Sequence, residues 1–284
     1  MKGNGPLTNQ TFQSLTLPER ASKDTTLGLR NRGITMVIDS GMAYGQFADM
    51  VESHSDLIDV IKFGWGTSYI NFELAEKKAA LLQSKSIAYY VGGTLFERYI
   101  VENKFDDYVT YCQALHAHHV EVSDGTIIME LPDKLSYITQ LASAGFTVFS
   151  EVGQKPQDRQ NELSDADDWV KLVQAEQDAG ARYSILEARE SGSAGIATSE
   201  GKLRQDIIDA FVAAKVPIDS LIFEAPTRAL QRPLLEQFGA NVNLGNIAPS
   251  DIIPLETLRV GLRSDTFLLG GEAINVNPKF KVIA

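Results

Sequence analysis

A repeating pattern dominates the sequence from residue 34 onward: a short apolar run, a polar or glycine residue at its end, and then a stretch with helical periodicity. The apolar runs, which we predict to be eight strands, are Ile34–Ile38, Leu57–Ile61, Ala88–Val91, His118–Val122, Phe146–Ser150, Tyr183–Leu186, Leu221–Phe223 and Val242–Leu244. Between them, the segments with the clearest helix signals are Asn71–Gln83, Lys134–Ala144, Asp165–Ala179, Lys202–Ala214 and Leu230–Phe238.

This alternation predicts the fold class. Eight strand–helix units spaced by roughly thirty residues are what a (β/α)8 barrel of the TIM type requires, and such barrels have about 250 residues. We therefore predict a single α/β barrel domain over residues 31–284, preceded by an N-terminal extension over residues 1–30 that lacks sustained periodicity. The alternative is a doubly wound open sheet, but Asp39-Ser40-Gly41 follows the first strand where that fold carries G-x-G-x-x-G.

Charge and cysteine content limit the partners and the compartment. With 37 acidic and 26 basic residues the net charge is -11, which argues against nucleic acid or an anionic membrane as a partner. Cys112 is the single cysteine, so neither a disulfide within the chain nor a cysteine metal cluster can form. The sequence contains no apolar run of signal-peptide or membrane-spanning length. These features predict a soluble cytoplasmic protein.

Carboxylates at the ends of the predicted strands are the first site candidates, because barrel active sites lie at the carboxyl ends of strands. Five runs end in an acidic residue: Asp39, Glu121, Glu151, Glu187 and Glu224. An unpaired buried carboxylate costs on the order of several kcal/mol, so the group predicts either a salt-bridged rim or a metal site. The rim would use Lys62, Lys155 and Arg189. A metal site built from oxygen alone favours Mg²⁺.

The loop Lys62–Ser68 is a candidate for anion binding. Gly64 and Gly66 let backbone N–H groups approach a ligand closely, and the start of a helix follows. We expect Trp65, between the two glycines, to pack beneath the loop.

Two further loops suit phosphate or carboxylate. The loop that follows Glu187 is rich in small residues and contains Arg189, Ser191 and Gly192, which combine a guanidinium fork with accessible backbone N–H groups. Asn243 and Asn246 lie at the end of the eighth strand, where barrels often bind phosphate.

The strand ends form a specific set when they are taken together. The segments that carry it are Gly33–Asp39, Lys62–Ser68, Gly92–Glu97, Glu121–Gly125, Glu151–Lys155, Glu187–Gly192, Phe223–Pro226, Val242–Ile247 and Leu258–Thr266. This set resembles the phosphosulfolactate synthase family, whose members add sulfite to phosphoenolpyruvate at the start of coenzyme M biosynthesis. The resemblance implies a (β/α)8 barrel, dependence on Mg²⁺ and a lyase-class reaction that forms a carbon–sulfur bond. The sequence departs from the family pattern at Gln154 and at Leu29–Arg32.

The chemistry implied by the resemblance assigns the metal ligands. Sulfite that attacks C3 of phosphoenolpyruvate pushes negative charge into the carboxylate, and a metal ion and a cation must stabilise that charge. We predict Glu151 and Glu187 as Mg²⁺ ligands, with Glu121 and Asp39 as further candidates in or beside the coordination shell.

The basic residues take the remaining roles. Lys155 is the predicted general acid that protonates C2. Lys62 and Arg189 are predicted to hold phosphate, carboxylate or incoming sulfite, together with the backbone of residues 191–195. The expected product is (2R)-phospho-3-sulfolactate.

Two other functions stay open at this point. One is a related barrel enzyme that adds another nucleophile to an enolpyruvate-type substrate, and the other is a catalytically silent barrel used for binding. Because barrels of this kind commonly associate, a homo-oligomer is expected.

Overall fold

The eight predicted strands are all present. The computed structural model describes residues 15–23, 29–153, 165–188, 194–269 and 279. Within these ranges the strands are β1 (Thr35–Asp39), β2 (Val60–Phe63), β3 (Ala88–Val91), β4 (His119–Val122), β5 (Thr147–Val152), β6 (Ala181–Leu186), β7 (Leu221–Glu224) and β8 (Leu244–Ile247). The largest differences from the predicted bounds are that β2 begins at Val60 rather than Leu57 and β8 ends at Ile247 rather than Leu244.

The strands form a nearly closed parallel barrel. Their hydrogen-bonded order is β3-β2-β1-β8-β7-β6-β5-β4. Each neighbouring pair is parallel, and β3 and β4, at the two ends of this order, also lie in contact. The predicted (β/α)8 barrel is therefore confirmed.

Helices connect the strands. They are α1 (Tyr44–His54), α2 (Thr67–Ile70), α3 (Phe72–Ser84), α4 (Gly93–Val101), α5 (Phe105–Ala114), α6 (Leu131–Ser143), α7 (Ala166–Asp178), α8 (Gln205–Ala213), α9 (Arg228–Phe238) and α10 (Ile252–Arg259), with 3-10 helices at Ile218–Ser220, Pro249–Asp251 and Ser264–Thr266. Sequence reasoning missed α1, α4, α5 and α10, whose C-caps are Ser55, Glu102, Leu115 and Val260 rather than glycine. No helix in the described ranges is long and apolar enough to cross a membrane.

The inside of the barrel is filled by side chains from alternate strand positions. Phe149 stacks between Tyr90 and Tyr183, with ring centroids 5.0 and 5.1 Å away. Ile34 and Met36 complete this inner core from β1 and the residue before it, and Leu29 joins it from the predicted extension. A second and larger core packs the outer strand faces against the helices.

The described part of the predicted extension lies across the amino-terminal end of the barrel. The Arg30 guanidinium donates to both oxygens of Asp59, the residue before β2, at 2.9 and 3.0 Å. Arg20 donates to the backbone carbonyls of Gly33 and Ala240 and pairs with Glu256 at 3.0 Å. The domain boundary placed at residue 30 stays a prediction.

Candidate active site

A cavity of about 740 Å³ opens at the carboxyl ends of the strands. Its charged lining among the described residues is Lys62, Glu97, Glu121, Glu151, Glu187 and Glu224. The described lining thus contains five carboxylates and one ammonium group. The site lies where barrel enzymes carry out their chemistry.

Lys62 is the centre of this group. It points inward from β2 and is 7% exposed. Its Nζ lies 2.9 Å from Glu121 Oε2, 3.6 Å from Glu151 Oε2 and 3.8 Å from Glu224 Oε1. Burial alone would lower the pKa of Lys62, but the three carboxylates outweigh burial and raise the pKa of its ammonium above the ordinary value. Lys62 is therefore a fixed positive charge on the pocket wall.

Glu151 shows that one lysine does not balance the carboxylates. Burial raises the pKa of Glu151 well above its ordinary value, and although Lys62 opposes this, the surrounding glutamates add to it. A carboxylate in this position gains from any further positive charge, whether a proton or a metal ion.

Glu121 is held by both the barrel interior and the helix layer. One of its oxygens pairs with Lys62, and the other accepts a hydrogen bond of 2.7 Å from the backbone N–H of Gly93, the first residue of α4. A side chain at Gly93 would collide with Glu121 Oε1, because an ideal Cβ there lies 2.6 Å from it.

Glu224 and Asn246 form the opposite wall. The Asn246 Nδ2 donates to Glu224 Oε1 at 2.6 Å, and the Ala188 N–H donates to Glu224 Oε2 at 3.0 Å. Asn246 has a φ of 53° in the left-handed region, which asparagine tolerates better than most residues. Asn246 lines the pocket, where it was predicted to lie, while its contact with substrate stays a prediction.

The donor chemistry suits a hard cation, since the charged ligands on offer are oxygens. Gly153 leaves room for this, because a Cβ there would overlap the Glu187 carboxylate. In the described ranges, however, no three His, Cys, Asp or Glu side chains already converge closely enough to hold a metal ion. Glu121, Glu151 and Glu187 therefore share the pocket, as predicted, without forming a closed coordination shell.

Two predicted site residues lie elsewhere. Asp39 faces away from the pocket: its carboxylate pairs with the buried Lys78 of α3 and accepts from the N–H groups of Gly41 and Met42. It was predicted beside the metal, but β1 presents Ile38 to the pocket instead. This position is wrong for a metal ligand.

Asn243 lies at the opposite end of the barrel from the pocket. It precedes β8, accepts from Ile34 N–H at 2.9 Å and donates to the carbonyls of Asp219 and Leu221. Its carboxamide joins the amino ends of three strands, so its predicted contact with substrate is wrong.

The Lys62–Ser68 loop has a different internal arrangement from the predicted one. Trp65, expected to pack beneath the loop, is 41% exposed and lines the pocket. Gly64 allows close packing, since a Cβ there would lie 3.1 Å from Ile38 and 3.3 Å from the carbonyl of Asp39. Gly66 caps the start of α2. Ligand binding by the two glycines stays a prediction.

Several of the predicted residues cannot be placed. Lys155, Arg189, Ser191 and Gly192 lie outside the described residues, so their roles stay predictions.

Among the charged residues of the described lining, Glu97 is the one that sequence reasoning did not select as a site candidate. It lies one turn into α4 rather than at a strand end, and its carboxylate accepts from Ser123 Oγ and from the N–H groups of Gly125 and Thr126. The available signal was the spacing to Gly93, since residues four apart share a helix face.

The fold and the pocket together define a (β/α)8-barrel enzyme that acts on small polar molecules. The family described as (2R)-phospho-3-sulfolactate synthase (ComA) matches residues 23–265. A phosphosulfolactate synthase of Bacillus subtilis is 41% identical over 256 residues, covering 90% of this chain and 98% of that protein. A phosphosulfolactate synthase of Methanocaldococcus jannaschii is 41% identical over 238 residues, covering 83% and 94%.

The chain belongs to the phosphosulfolactate synthase family. The predicted resemblance and the prediction of an enzyme of this type are thereby confirmed. Among solved structures, the carboxyl transferase domain from Rhizobium etli pyruvate carboxylase has a TM-score of 0.52 at 11% identity and covers 78% of this chain and 41% of that chain. That likeness concerns the barrel fold alone.

Proposed function

We propose that this enzyme adds sulfite to phosphoenolpyruvate and forms (2R)-phospho-3-sulfolactate. The observation that carries the proposal is the buried Lys62 ammonium among carboxylates at the barrel mouth, in a chain of this family. Two anionic substrates need cations in order to meet beside these carboxylates, and Lys62 together with a bound metal ion would supply them.

The reaction balances without a redox partner. The sulfur lone pair of sulfite forms a bond to C3, the double-bond electrons move through C2 into the carboxylate, and a proton then reaches C2 and restores the acid. No leaving group departs, and the phosphate ester stays intact. The protein must therefore stabilise developing carboxylate charge and deliver one proton.

Mg²⁺ is part of the proposal. Glu151 and Glu187 would hold it, with Glu121 beside them, since the carboxylate oxygens of these residues line one pocket and oxygen ligands suit a hard cation. When bound, the ion would neutralise charge on the substrate carboxylate.

The basic residues and the loop after Glu187 have separate proposed roles. Lys62 is held by three glutamates and serves as a fixed cation that orients an anionic substrate rather than as the proton donor. Lys155 is the proposed donor to C2. Arg189, Ser191 and Gly192 are proposed to hold phosphate or sulfite.

The test is direct. Purified protein is mixed with phosphoenolpyruvate, sulfite and MgCl₂, and the product mass and stereochemistry are determined. A sulfonated adduct that keeps its phosphate, and that disappears with excess EDTA and returns with Mg²⁺, is the expected result. Absence of the adduct at high enzyme concentration overturns the substrate assignment, and an adduct formed faster with another nucleophile would reassign the acceptor chemistry.

A cytoplasmic location and a homo-oligomeric state are also proposed. Cys112, the single cysteine, is buried and free, which is compatible with a reducing compartment. Fractionation of cells and light scattering on the purified protein test the two statements separately.

A further inference from the structure

The barrel has a seam between β3 and β4. These strands stand at the two ends of the hydrogen-bonded order, and within the described residues no strand ladder joins them. On its other side β4 pairs normally with β5. The pocket carboxylate Glu121 therefore lies on a strand whose seam-facing edge must be held by something other than a ladder.

Helix α4, which follows β3, supplies that contact. Gly93 and Glu97 lie four residues apart and so share a helix face, while Glu121 and Ser123 lie two apart and share a face of the β4 segment. The two pairs meet. Gly93 N–H donates to Glu121 Oε1 at 2.7 Å, and Ser123 Oγ donates to Glu97 Oε1.

Glu97 continues the contact into the loop after β4. Its Oε1 accepts from Gly125 N–H at 3.0 Å, and its Oε2 accepts from Thr126 N–H at 2.8 Å. The residue is 3% exposed. Ser123, Gly125 and Thr126 all line the pocket, so one carboxylate fixes this stretch of wall.

The arrangement separates Glu97 from the other pocket glutamates. Both of its oxygens already accept hydrogen bonds from the protein, and two of the three donors are backbone N–H groups of the pocket wall. Glu121 and Glu151 instead face Lys62. The carboxylate of Glu97 is engaged in holding the wall and is poorly placed to bind a metal ion.

We infer that Glu97 is a positioning residue that holds residues 123–126 against α4 across the open seam, and so shapes the pocket wall beside Glu121. The positioning of residues 123–126 by Glu97 is inferred from the hydrogen bonds alone, and its consequence for catalysis rests on the proposed function.

The test compares Glu97→Gln with Glu102→Gln. Glutamine keeps the size of Glu97 but turns one acceptor into an NH₂ donor, which must face a backbone N–H. Glu102 is the C-cap residue of the same helix. It is exposed and pairs with Arg98 and Lys104. Amide hydrogen exchange is measured residue by residue in the full-length proteins.

Glu97→Gln should speed exchange at Gly125 or Thr126, whichever N–H group faces the new NH₂, by about 10- to 100-fold, the change expected when a hydrogen bond to a charged acceptor is lost. Exchange in β1 and β8 should not change, and Glu102→Gln should match the wild type throughout. Wild-type exchange at Gly125 and Thr126 in Glu97→Gln overturns the inference, and so does an equal acceleration in every strand. If Glu97→Gln does not fold, Glu97→Asp decides by the same criterion, because it retracts the carboxylate but keeps its charge.

An activity measurement adds the link to function. Because residues 123–126 form wall rather than reacting groups, Glu97→Gln should raise the KM for phosphoenolpyruvate by about tenfold and lower kcat by less. If the wild-type protein has no synthase activity, the proposed function is wrong. The exchange measurement still decides whether Glu97 holds the pocket wall. If Glu97→Gln changes the exchange pattern but leaves the KM for phosphoenolpyruvate unchanged, Glu97 does not influence substrate binding in the pocket.

Discussion

The two ends of the barrel use opposite charges to satisfy the backbone. At the amino-terminal end, Arg20, Arg30 and Arg259 donate to backbone carbonyls, among them those of Gly33 and Ala240. At the carboxyl-terminal end, glutamates accept from backbone N–H groups instead, as Glu97, Glu121 and Glu224 do.

The direction of the helices favours the same distribution of charge. In a parallel barrel the helices run opposite to the strands, so helix carboxyl ends lie beside the amino ends of the strands and helix amino ends lie beside the pocket. Unpaired carbonyls and the negative end of the helix dipole favour cations at the first end, and unpaired N–H groups favour carboxylates at the second. An acidic active-site rim is thus compatible with the fold before any ligand binds.

Among the described residues, the ends also differ in which charge is in excess. Asp59 is fully buried and accepts from the Arg30 guanidinium and from the N–H groups of Arg30 and Thr35. In the pocket, three carboxylates lie within 4 Å of Lys62, which is the one cation among the described lining residues. At the amino-terminal end cations are in excess, since Arg20, Arg30 and Arg259 interact with the carboxylates of Asp59 and Glu256. We expect changes at that end to act on stability and changes in the pocket to act on ligand binding.

Replacing Lys62 with methionine should have the largest effect of the changes considered. It removes the fixed cation and leaves Glu121 and Glu151 facing each other's charge. We expect kcat/KM for the proposed synthase reaction to fall about 10³-fold, as when a preorganised charge is lost. Steady-state assays measure this, with Lys85→Met on the surface as the control. Retention of more than about a tenth of the activity would contradict the role of Lys62.

The matching change at the other end should affect stability instead. Asp59→Asn leaves the buried Arg30 guanidinium without its countercharge, which costs about 3–5 kcal/mol. The expected fall in Tm is roughly 10 °C, while kcat/KM measured well below Tm stays near the wild-type value. Asp49→Asn, on an exposed position of α1, is the control. A large loss of activity with an unchanged Tm would mean that the two ends are not separable in this way.

These two variants also show what the sequence could reveal. Period-two alternation and strand-end polarity were enough to predict the barrel and to bring Lys62, Glu121, Glu151 and Glu187 to one pocket. Alternation says which residues share a face but not which face is inside. Asp39 was misplaced for that reason, since Met36 and Ile38 take the inner face of β1.

Other errors arose where strand bounds or helices decide the position. Asn243 was taken for the end of the eighth strand, but β8 begins one residue later, which moves Asn243 to the opposite end of the barrel. Glu97 was not selected because it reaches the pocket from a helix, and the pairing of α4 with β4 depends on tertiary packing. Local periodicity contains no information about such contacts.

The pH dependence of stability should report on His119, which lies at the amino-terminal end of the barrel. It begins β4, is partly buried beside Phe149, and burial, with a smaller effect of His118, lowers its pKa to about 4. Between pH 6.5 and about 4 the unfolded chain therefore binds more protons than the folded one, so stability falls as the pH drops through this range.

The loss should be about 2 kcal/mol, less than the full shift implies because the imidazole is only partly buried. Denaturation measured from pH 7 to 4 should show a shallower slope for His119→Gln than for the wild type. His118→Gln, at an exposed position, should keep the wild-type slope. Equal slopes in all three proteins would place the acid sensitivity elsewhere.

A pair of glycine substitutions gives the smallest expected change in stability and separates packing at the mouth from helix propensity. Gly45 and Gly93 both lie in the first turn of a helix, and alanine favours a helix over glycine by about 1 kcal/mol at either position. A Cβ at Gly45 meets nothing within 4 Å, whereas at Gly93 it would overlap Ser123 Oγ and lie 2.6 Å from Glu121 Oε1. Gly45→Ala should therefore raise stability and leave activity unchanged.

For Gly93→Ala the overpacking penalty of about 1–3 kcal/mol offsets the helix gain, so the net loss of unfolding free energy should be about 0–2 kcal/mol. Activity should nevertheless fall about tenfold, because relieving the overlap moves Glu121 and Ser123, and with them the wall beside Lys62. Chemical denaturation and steady-state kinetics on both variants measure the two effects separately. If Gly93→Ala is as active as Gly45→Ala, the close approach of α4 to β4 does not shape the pocket, and the contrast between the two barrel ends would rest on Lys62 and Asp59 alone.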